Sequence, residues 1–523
     1  MEKSLINFKV ASIFKNINRK YKVSFITTFI IGLFVHIYMY TNIFLNHDTI
    51  RNFYNLEDTF TSGRWFLGVL GKLFSNYTVP WVNGMVVLVC LSLITCLIIN
   101  IYEIDNILNV VLISLITASF PSITAINLFI FVSDAYLVAN LITVFAVFIT
   151  DRFKYGWILG VILLILATGS YQINIFFAVS LYFVKILRHV LNNKSLKEVI
   201  VKTLKYALIT LAALVGYIVI NKVIVSVLNI QLTDYKNINT LGNIDILKVP
   251  YLLKIGAIEF FKFFSIYTKK YLGILSLVMN LFLLISVIFI ALKIFFNRKI
   301  LSKNSKILLL VILLISPIVL SFIYVLGKGE IHHIMLISFV CAYYIAIIML
   351  EFGMKNNIYG KSTIMNNIFI IAIFIVSISW GIFANKCYTA IDIKNKNMYS
   401  FTSRIVSKID DVEDFNYEED EAIIIGNRVD KVHSPTKKKE YMELDGFTGL
   451  FMIGDYNFFY SSEHYSEYIR NILGVNLKYP GATKEKYLRG CQEFIDMPSF
   501  PEEGCIKKID GVLVVRVSDY YNR

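Results

Sequence analysis

The chain has no Cys-x-x-Cys pair and no histidine-rich spacing, which removes the usual structural zinc frameworks. Its six cysteines are too few and too scattered for a disulfide-stapled scaffold. Cys90, Cys96 and Cys341 lie in apolar runs, and Cys387 sits just past the last run. Cys491 and Cys505, 14 residues apart, leave two readings open: a disulfide in an oxidising compartment, or two free thiols. Glu2 to Lys22 lacks a small-residue cleavage site, and the apolar run after it is too long for a signal-peptide core. The first segment is therefore expected to stay in place as a helix. No internal repeat is visible. Acidic residues are scarce early on: residues 1–384 hold 14 Asp/Glu against 32 Lys/Arg, whereas residues 385–523 hold 23 against 19.

What the chain has is apolar sequence. Of its 523 residues 56% are hydrophobic and 15% aromatic, with a mean hydropathy of +0.63. Several stretches exceed the ~18 residues needed to cross a bilayer as a helix. Eleven spans are expected, at about 23–45, 80–101, 107–119, 134–150, 156–168, 172–187, 206–228, 272–296, 307–326, 334–352 and 364–384. With the N-terminus inside, the inner loops hold 21 Lys/Arg and the short outer loops only Arg51, Arg64, Lys72 and Lys328. That asymmetry predicts a cytoplasmic N-terminus and an extracytoplasmic C-terminus. It also assigns the net charge of +14 to topology and leaves nucleic acid out as a partner. One longer outer loop, about 229–271, carries six lysines interleaved with Phe260, Phe261, Phe263 and Phe264. It reads either as an amphipathic helix lying on the outer leaflet or as a short packing helix.

The fold class expected is mainly α: a polytopic helical bundle over residues 1–384, followed by a small extracytoplasmic α/β domain over 385–523. In that domain Glu421–Gly426 resembles a buried strand ending in a turn, Gly511–Val517 a final strand, and Ser462–Leu473 a helix.

The outer loops concentrate polar residues on one predicted face. The first carries Asn46-His47-Asp48, Arg51, Glu57, Asp58 and Ser62-Gly63-Arg64-Trp65. Asp134-Ala135-Tyr136 opens the fourth span, Ser170-Tyr171-Gln172 follows the fifth, and Gly327-Lys328-Gly329-Glu330-Ile331-His332-His333 follows the ninth. Side chains so close to the headgroup plane suit a lipid-anchored substrate. Arg64 or Lys328 can hold a phosphate, Asp48 can take a proton from a hydroxyl, and Trp65, Tyr136 and Tyr171 can stack on a sugar. Bland readings compete. Asp48 can be a helix-end cap, Glu57 and Asp58 solvated loop charges, and Trp65 an interfacial anchor. Asp134, at the mouth of an apolar span, is costly without a role or partner. His332 and His333 point about 100° apart on a helix and do not share a metal.

Asn46-His47-Asp48, Ser62-Gly63-Arg64-Trp65, Asp134-Ala135-Tyr136, Ser170-Tyr171-Gln172 and the closing Met497-Pro498 to Val515-Arg516-Val517 resemble the serotype-converting O-antigen glucosyltransferases, Gtr type II. The resemblance implies a multi-span GT-C architecture in the bacterial cytoplasmic membrane. It implies transfer of a sugar, typically glucose, from a polyprenyl-phosphate donor to a cell-envelope glycan on the outer face. By the same resemblance Asp48 is the general base of an inverting transfer, and Asp134 orients the acceptor or assists. Arg64, with Trp65, Tyr136, Tyr171 and Gln172, contacts substrate. Lys328 joins Arg64 near the phosphate by charge and face alone, with Glu57 and Asp58 as secondary candidates. No metal is required by this chemistry. A divalent ion between Asp48 and Asp134 stays open, and Asp48-Thr49-Ile50 departs from an Asp-x-Asp pattern. The rivals are a transporter or flippase of lipid-linked sugars and a non-catalytic envelope scaffold. A transporter would want charges lining a path through the spans.

Overall fold

A computed structural model describes residues 17–54, 59–74, 78–232, 246–297, 299–327, 329, 331–358, 363–426 and 461–518. The chain is mainly helical. Among the described residues, ten helices are long and apolar enough to cross a membrane, and Gly156–Ser170 is a shorter apolar helix. They fall where the apolar runs predict, so the protein is a multi-pass membrane protein.

Two compact units divide the chain. The first comprises Met1–Thr41, Asp58–Asn127 and Val132–Ala384 and holds the helical bundle. The second comprises Asn42–Glu57, Leu128–Phe131 and Asn385–Arg523. The second unit is not one continuous stretch: Asn42–Glu57 and Leu128–Phe131 belong to it together with Asn385–Arg523.

In the bundle, His333–Lys355 and Ile107–Asn127 are the most buried spans and Leu196–Val227 the most exposed. Small residues allow close approach where no apolar solvent gain drives packing. A Cβ on Gly84 would lie 2.3 Å from the Tyr40 ring, and one on Gly32 would lie 2.7 Å from Leu88. The lysine-rich segment is a helix, Val249–Lys262, continued by a π-helical turn, Phe263–Tyr267, and Thr268–Leu272. Leu252, Gly256, Phe260 and Phe263 are buried, with Phe263 stacked on Trp380 at 5.7 Å. Tyr251, Ile258, Phe261 and Ile266 stay exposed. It is a packing helix on one side and an unburied apolar surface on the other.

At one end of the bundle the basic loops are tied together. Lys185 is buried and donates to Ile101 O (2.7 Å) and Glu103 Oε1 (2.9 Å), with Asp151 Oδ2 at 3.2 Å. Asp151 also accepts from Tyr206 OH (2.7 Å), and Arg188 donates to Glu103 O (2.8 Å). Glu103 sits in a tight turn with φ +54°. Partial burial works against its charge, but the bond and charge of Lys185 outweigh it and hold the carboxyl below its ordinary range. The connections 102–106, 153–155 and 192–195, with the helix ends that flank them, therefore share one end of the bundle. Removing Lys185 takes away the buried cation that bridges both carboxylates and leaves Asp151 with Lys202 (3.4 Å) and half-exposed Glu103 with Arg188 (3.9 Å). Lys185→Met is expected to destabilise the detergent-solubilised protein by roughly 3 kcal/mol, seen as a lower melting temperature by gel filtration after heating. An unchanged melting temperature would make the network ornamental.

The last span does not stop at the lipid boundary. One helix, Thr363–Asp410, runs from the first unit into the second. Nothing between Asn385 and Asp410 breaks it: there is no proline or glycine, Asp392 pairs with Lys396 at i,i+4 (2.8 Å), and buried Met398, Phe401, Ile405 and Ile409 keep a helical stripe. Hydropathy marks where solvent changes, not where a helix ends.

In the second unit, strands β1 (Glu421–Ile425), β2 (Ile506–Ile509) and β3 (Val512–Arg516) form a sheet of order β1-β3-β2. β1 and β3 are parallel, and β2 and β3 antiparallel. Asp510 (φ +50°) and Gly511 (φ +80°) make the two-residue hairpin turn between the last two. Alternation sends Ala422, Ile424, Leu513 and Val515 to one core, with Tyr465, Tyr468 and Ile469. Ile423, Ile425, Val512 and Val514 face another core, with Leu488, Phe494 and Met497. The expected helix appears as Ser462–Tyr468 with a π turn, Ile469–Leu473. Arg516 closes the module by donating to Phe494 O (3.1 Å), Ile495 O (2.6 Å) and Met497 O. Cys491 is partly exposed and Cys505 buried, and the structure draws no bond between them.

Candidate functional site

The stretch Ser62-Gly63-Arg64-Trp65 is a tight turn. Gly63 N donates to Phe60 O (2.9 Å) and Arg64 N to Thr59 O (2.7 Å), and Gly63 has φ +67°, where a side chain is strained. A Cβ there would also lie 3.0 Å from the Tyr217 hydroxyl and 3.5 Å from Asn221 Oδ1. The turn is sewn to neighbouring helix ends by polar bonds. Phe66 N donates to Gly169 O (2.9 Å), Gln172 Nε2 to Ser62 O (3.0 Å) and to Tyr217 OH (3.1 Å), and Tyr217 OH to Gly63 O (3.1 Å). The Trp65 ring lies so close over Gly169 that a Cβ would meet it at 2.5 Å.

This fixes Arg64. Its guanidinium stands 4.7 Å from the centre of the Tyr171 ring, and Nη1 donates to Tyr136 OH (3.1 Å). Tyr136 and Tyr171 stack in turn, 4.7 Å apart and 21° from parallel. A planar cation over an aromatic face gains from the ring quadrupole, and the hydroxyl bond sets its rotation. Arg64, Trp65, Tyr136, Tyr171 and Gln172 are thus brought together, as their expected common face requires. The cluster lies at the bundle end away from the lysine network. Tyr136 and Asp151 share the helix Ile130–Arg152, and their separation of 15 residues corresponds to about 22 Å.

Asp134 points elsewhere. It is buried, its Oδ1 accepts from Ala135 N (2.8 Å), and it shares a hydrogen bond with Asn83. Its Oδ2 has no hydrogen-bond partner among the described residues. Two residues along a helix is a rotation of about 200°, so Tyr136 turns to the arginine and Asp134 to the helix Pro80–Ile101 that carries Asn83. Tyr217, Asn221 and Asn83 did not enter the sequence reading. A polar Tyr217/Asn221 pair at i,i+4 within an apolar span was the available signal for the first two.

Asp48 belongs to the second unit. It lies in the first turn of a short helix, His47–Arg51, and is partly exposed. Asn46 caps the helix, its Oδ1 accepting from Thr49 N (2.7 Å) and Thr49 Oγ1 (2.8 Å). The Asp48 carbonyl accepts from Asn52 N and Asn52 Nδ2, both at 2.9 Å. Glu57, Asp58, Lys328 and Glu330 lie outside the described residues. His332 is spent locally, its Nδ1 accepting from Ile334 N at 3.3 Å. Among the described residues no group of three or more His, Cys, Asp and Glu side chains is gathered as metal ligands.

Chemically, the bundle offers an oriented cation flanked by aromatic faces, and the second unit offers a carboxylate on a capped helix. No curated protein sequence and no solved structure is significantly similar to the chain. Residues 37–350, well over half of the chain and including both elements, match the family profile described as Glucosyl transferase GtrII, and the chain belongs to that family of glucosyltransferases.

Proposed function

We propose that the protein moves a glucosyl unit from a polyprenyl-phosphate carrier to a cell-envelope glycan at the outer face of the bacterial cytoplasmic membrane. The anchored Arg64 is the observation that carries this reading. A guanidinium oriented on Tyr171 and Tyr136 suits a phosphate oxygen better than a mobile lysine does. It stands about 22 Å along the helix from the basic loops that the positive-inside rule assigns to the cytoplasm.

In this mechanism Asp48 accepts the proton of an acceptor hydroxyl. The oxygen attacks the anomeric carbon from the side opposite the phosphate, the carbon–oxygen bond to phosphate breaks, and polyprenyl phosphate leaves with the electron pair. The configuration inverts. Arg64 stabilises the charge that develops on the phosphate, and no step is routed through a metal. Trp65, Tyr136, Tyr171 and Gln172 line the donor side, with Lys328 as a second cation. Asp134 steadies the acceptor side of the site through its helix.

The test is transfer in proteoliposomes. Labelled polyprenyl-phosphate-glucose and isolated envelope glycan are supplied, with a nucleotide sugar in a parallel arm. Label should join the glycan, and polyprenyl phosphate should be released only from the lipid donor. Label that crosses the bilayer without joining glycan would make the protein a transporter and end this reading.

A further inference from the structure

The family match ends at residue 350, which leaves the C-terminal module without a role. The second unit supplies one. The loop that carries Asp48 is built into this module. Leu45 and Ile50 are buried in the same core as Phe401, Ile405, Tyr465 and Val515, with Phe53 packed against it. Helix His47–Arg51 lies against helix Ser462–Tyr468.

Two asparagine amides hold the loop's backbone. From the extended last helix, Asn395 makes a reciprocal pair with Leu45: Leu45 N donates to its Oδ1 (3.0 Å), and its Nδ2 donates to Leu45 O (3.1 Å). This imitates a rung of a β-ladder, and only a side chain with donor and acceptor side by side can make it. The next residue, Asn46, is fully buried. Besides capping the Asp48 helix, it donates from Nδ2 to Leu128 O (2.8 Å), in the other short stretch that joins the second unit. An exposed loop is ordinarily mobile. This one has its apolar residues in a core and its backbone clamped three residues before the carboxylate.

We infer that the C-terminal module is the seat of the Asp48 helix, and that Asn395 is a positioning residue acting through Leu45 and Asn46. The inference rests on the reading of Asp48 as the base. The physical demand is geometric: a base about 1 Å out of place costs roughly 100-fold in rate.

Full-length Asn395→Ala, Asn46→Ser and Asp48→Asn are to be compared with wild type, per mole of protein in the membrane. Asn46→Ser keeps a capping oxygen and loses the donor to Leu128 O. Asn395→Ala is expected to lower kcat roughly 10- to 100-fold with donor KM changed by no more than about twofold. Amide hydrogen exchange should rise across residues 44–53 and stay as in wild type across 461–518. Asn46→Ser should show the same selective loss in kcat, and it carries the test if Asn395→Ala does not reach the membrane. Wild-type kcat in both variants, beside an inactive Asp48→Asn, overturns the inference and leaves the base intact. Exchange rising equally across 461–518 also overturns it, since Asn395 then only holds the module's fold. An active Asp48→Asn overturns the base assignment itself.

Discussion

Asp48→Asn is expected to reduce sugar transfer by roughly 10²- to 10⁴-fold at saturating donor and acceptor, the range for loss of a positioned base. The substitution is close to isosteric and removes the carboxylate's charge and basicity. The parts that hold the helix stay: the Asn46 cap is a side-chain bond to Thr49, and residue 48 bonds Asn52 through its own backbone carbonyl. Membrane expression and melting temperature should therefore match wild type. Asp48→Glu keeps a carboxylate but moves it by a methylene, so it should recover part of the rate and not all of it. Donor KM should change little in both, because the base acts on the acceptor hydroxyl. The measurement is initial-rate incorporation of labelled sugar into glycan. A rate within about threefold of wild type for Asp48→Asn would remove Asp48 from the mechanism, since general-base effects start near 10².

The same loop shows where sequence reading succeeds and where it stops. Spans are legible because burial in lipid demands ~20 apolar residues in a row, and β1 and β3 because strands buried on both faces read as runs such as Ala422-Ile423-Ile424-Ile425. The convergence of Arg64, Tyr136, Tyr171 and Gln172 followed from a count of lysines, since loop charge decides which helix ends share a side. β2 escaped because Ile506-Lys507-Lys508-Ile509 is short and half exposed, although the Asp510-Gly511 turn after it was a usable signal.

Two features had no local signature. Asp134 and Tyr136 look like one motif on paper, but helical rotation sends them to different neighbours. The clamp on Leu45 joins residues 350 apart through a single asparagine amide. An isolated Asn in an amphipathic helix reads as a surface residue, and nothing in its neighbourhood names its partner. This is why a single division at Ala384 hid the fact that one part of the first loop, Asn42–Glu57, belongs to the second unit.

Arg64→Met is expected to lower kcat/KM for the lipid donor by roughly 10²- to 10³-fold, the loss typical of one preorganised charge-stabilising donor. Methionine keeps much of the length and apolar bulk over the Tyr171 ring, so the loss reports the guanidinium, its charge and its bond to Tyr136, and not the bulk. The informative comparison is Arg64→Lys, which retains the charge and loses the plane. If simple neutralisation of phosphate were the role, lysine would restore most of the rate. The geometry argues otherwise. Stacking on Tyr171 and the Nη1 bond to Tyr136 both use the flat, forked guanidinium. An ammonium with three rotatable donors cannot lie flat on one ring while holding a fixed donor on the other hydroxyl. Arg64→Lys should therefore recover no more than about a tenth of wild-type kcat/KM. Tyr136→Phe, which deletes only the orienting hydroxyl, should lower it by a smaller factor, about 5- to 10-fold for one hydrogen bond of about 1 kcal/mol. Donor dependence separates the roles: Arg64 variants should respond to the phosphate-linked donor, while acceptor KM stays near wild type. Full activity in Arg64→Lys would reduce the aromatic cradle to packing. Full activity in Arg64→Met would move the phosphate contact to another cation and leave the Tyr136–Tyr171 stack without its proposed purpose.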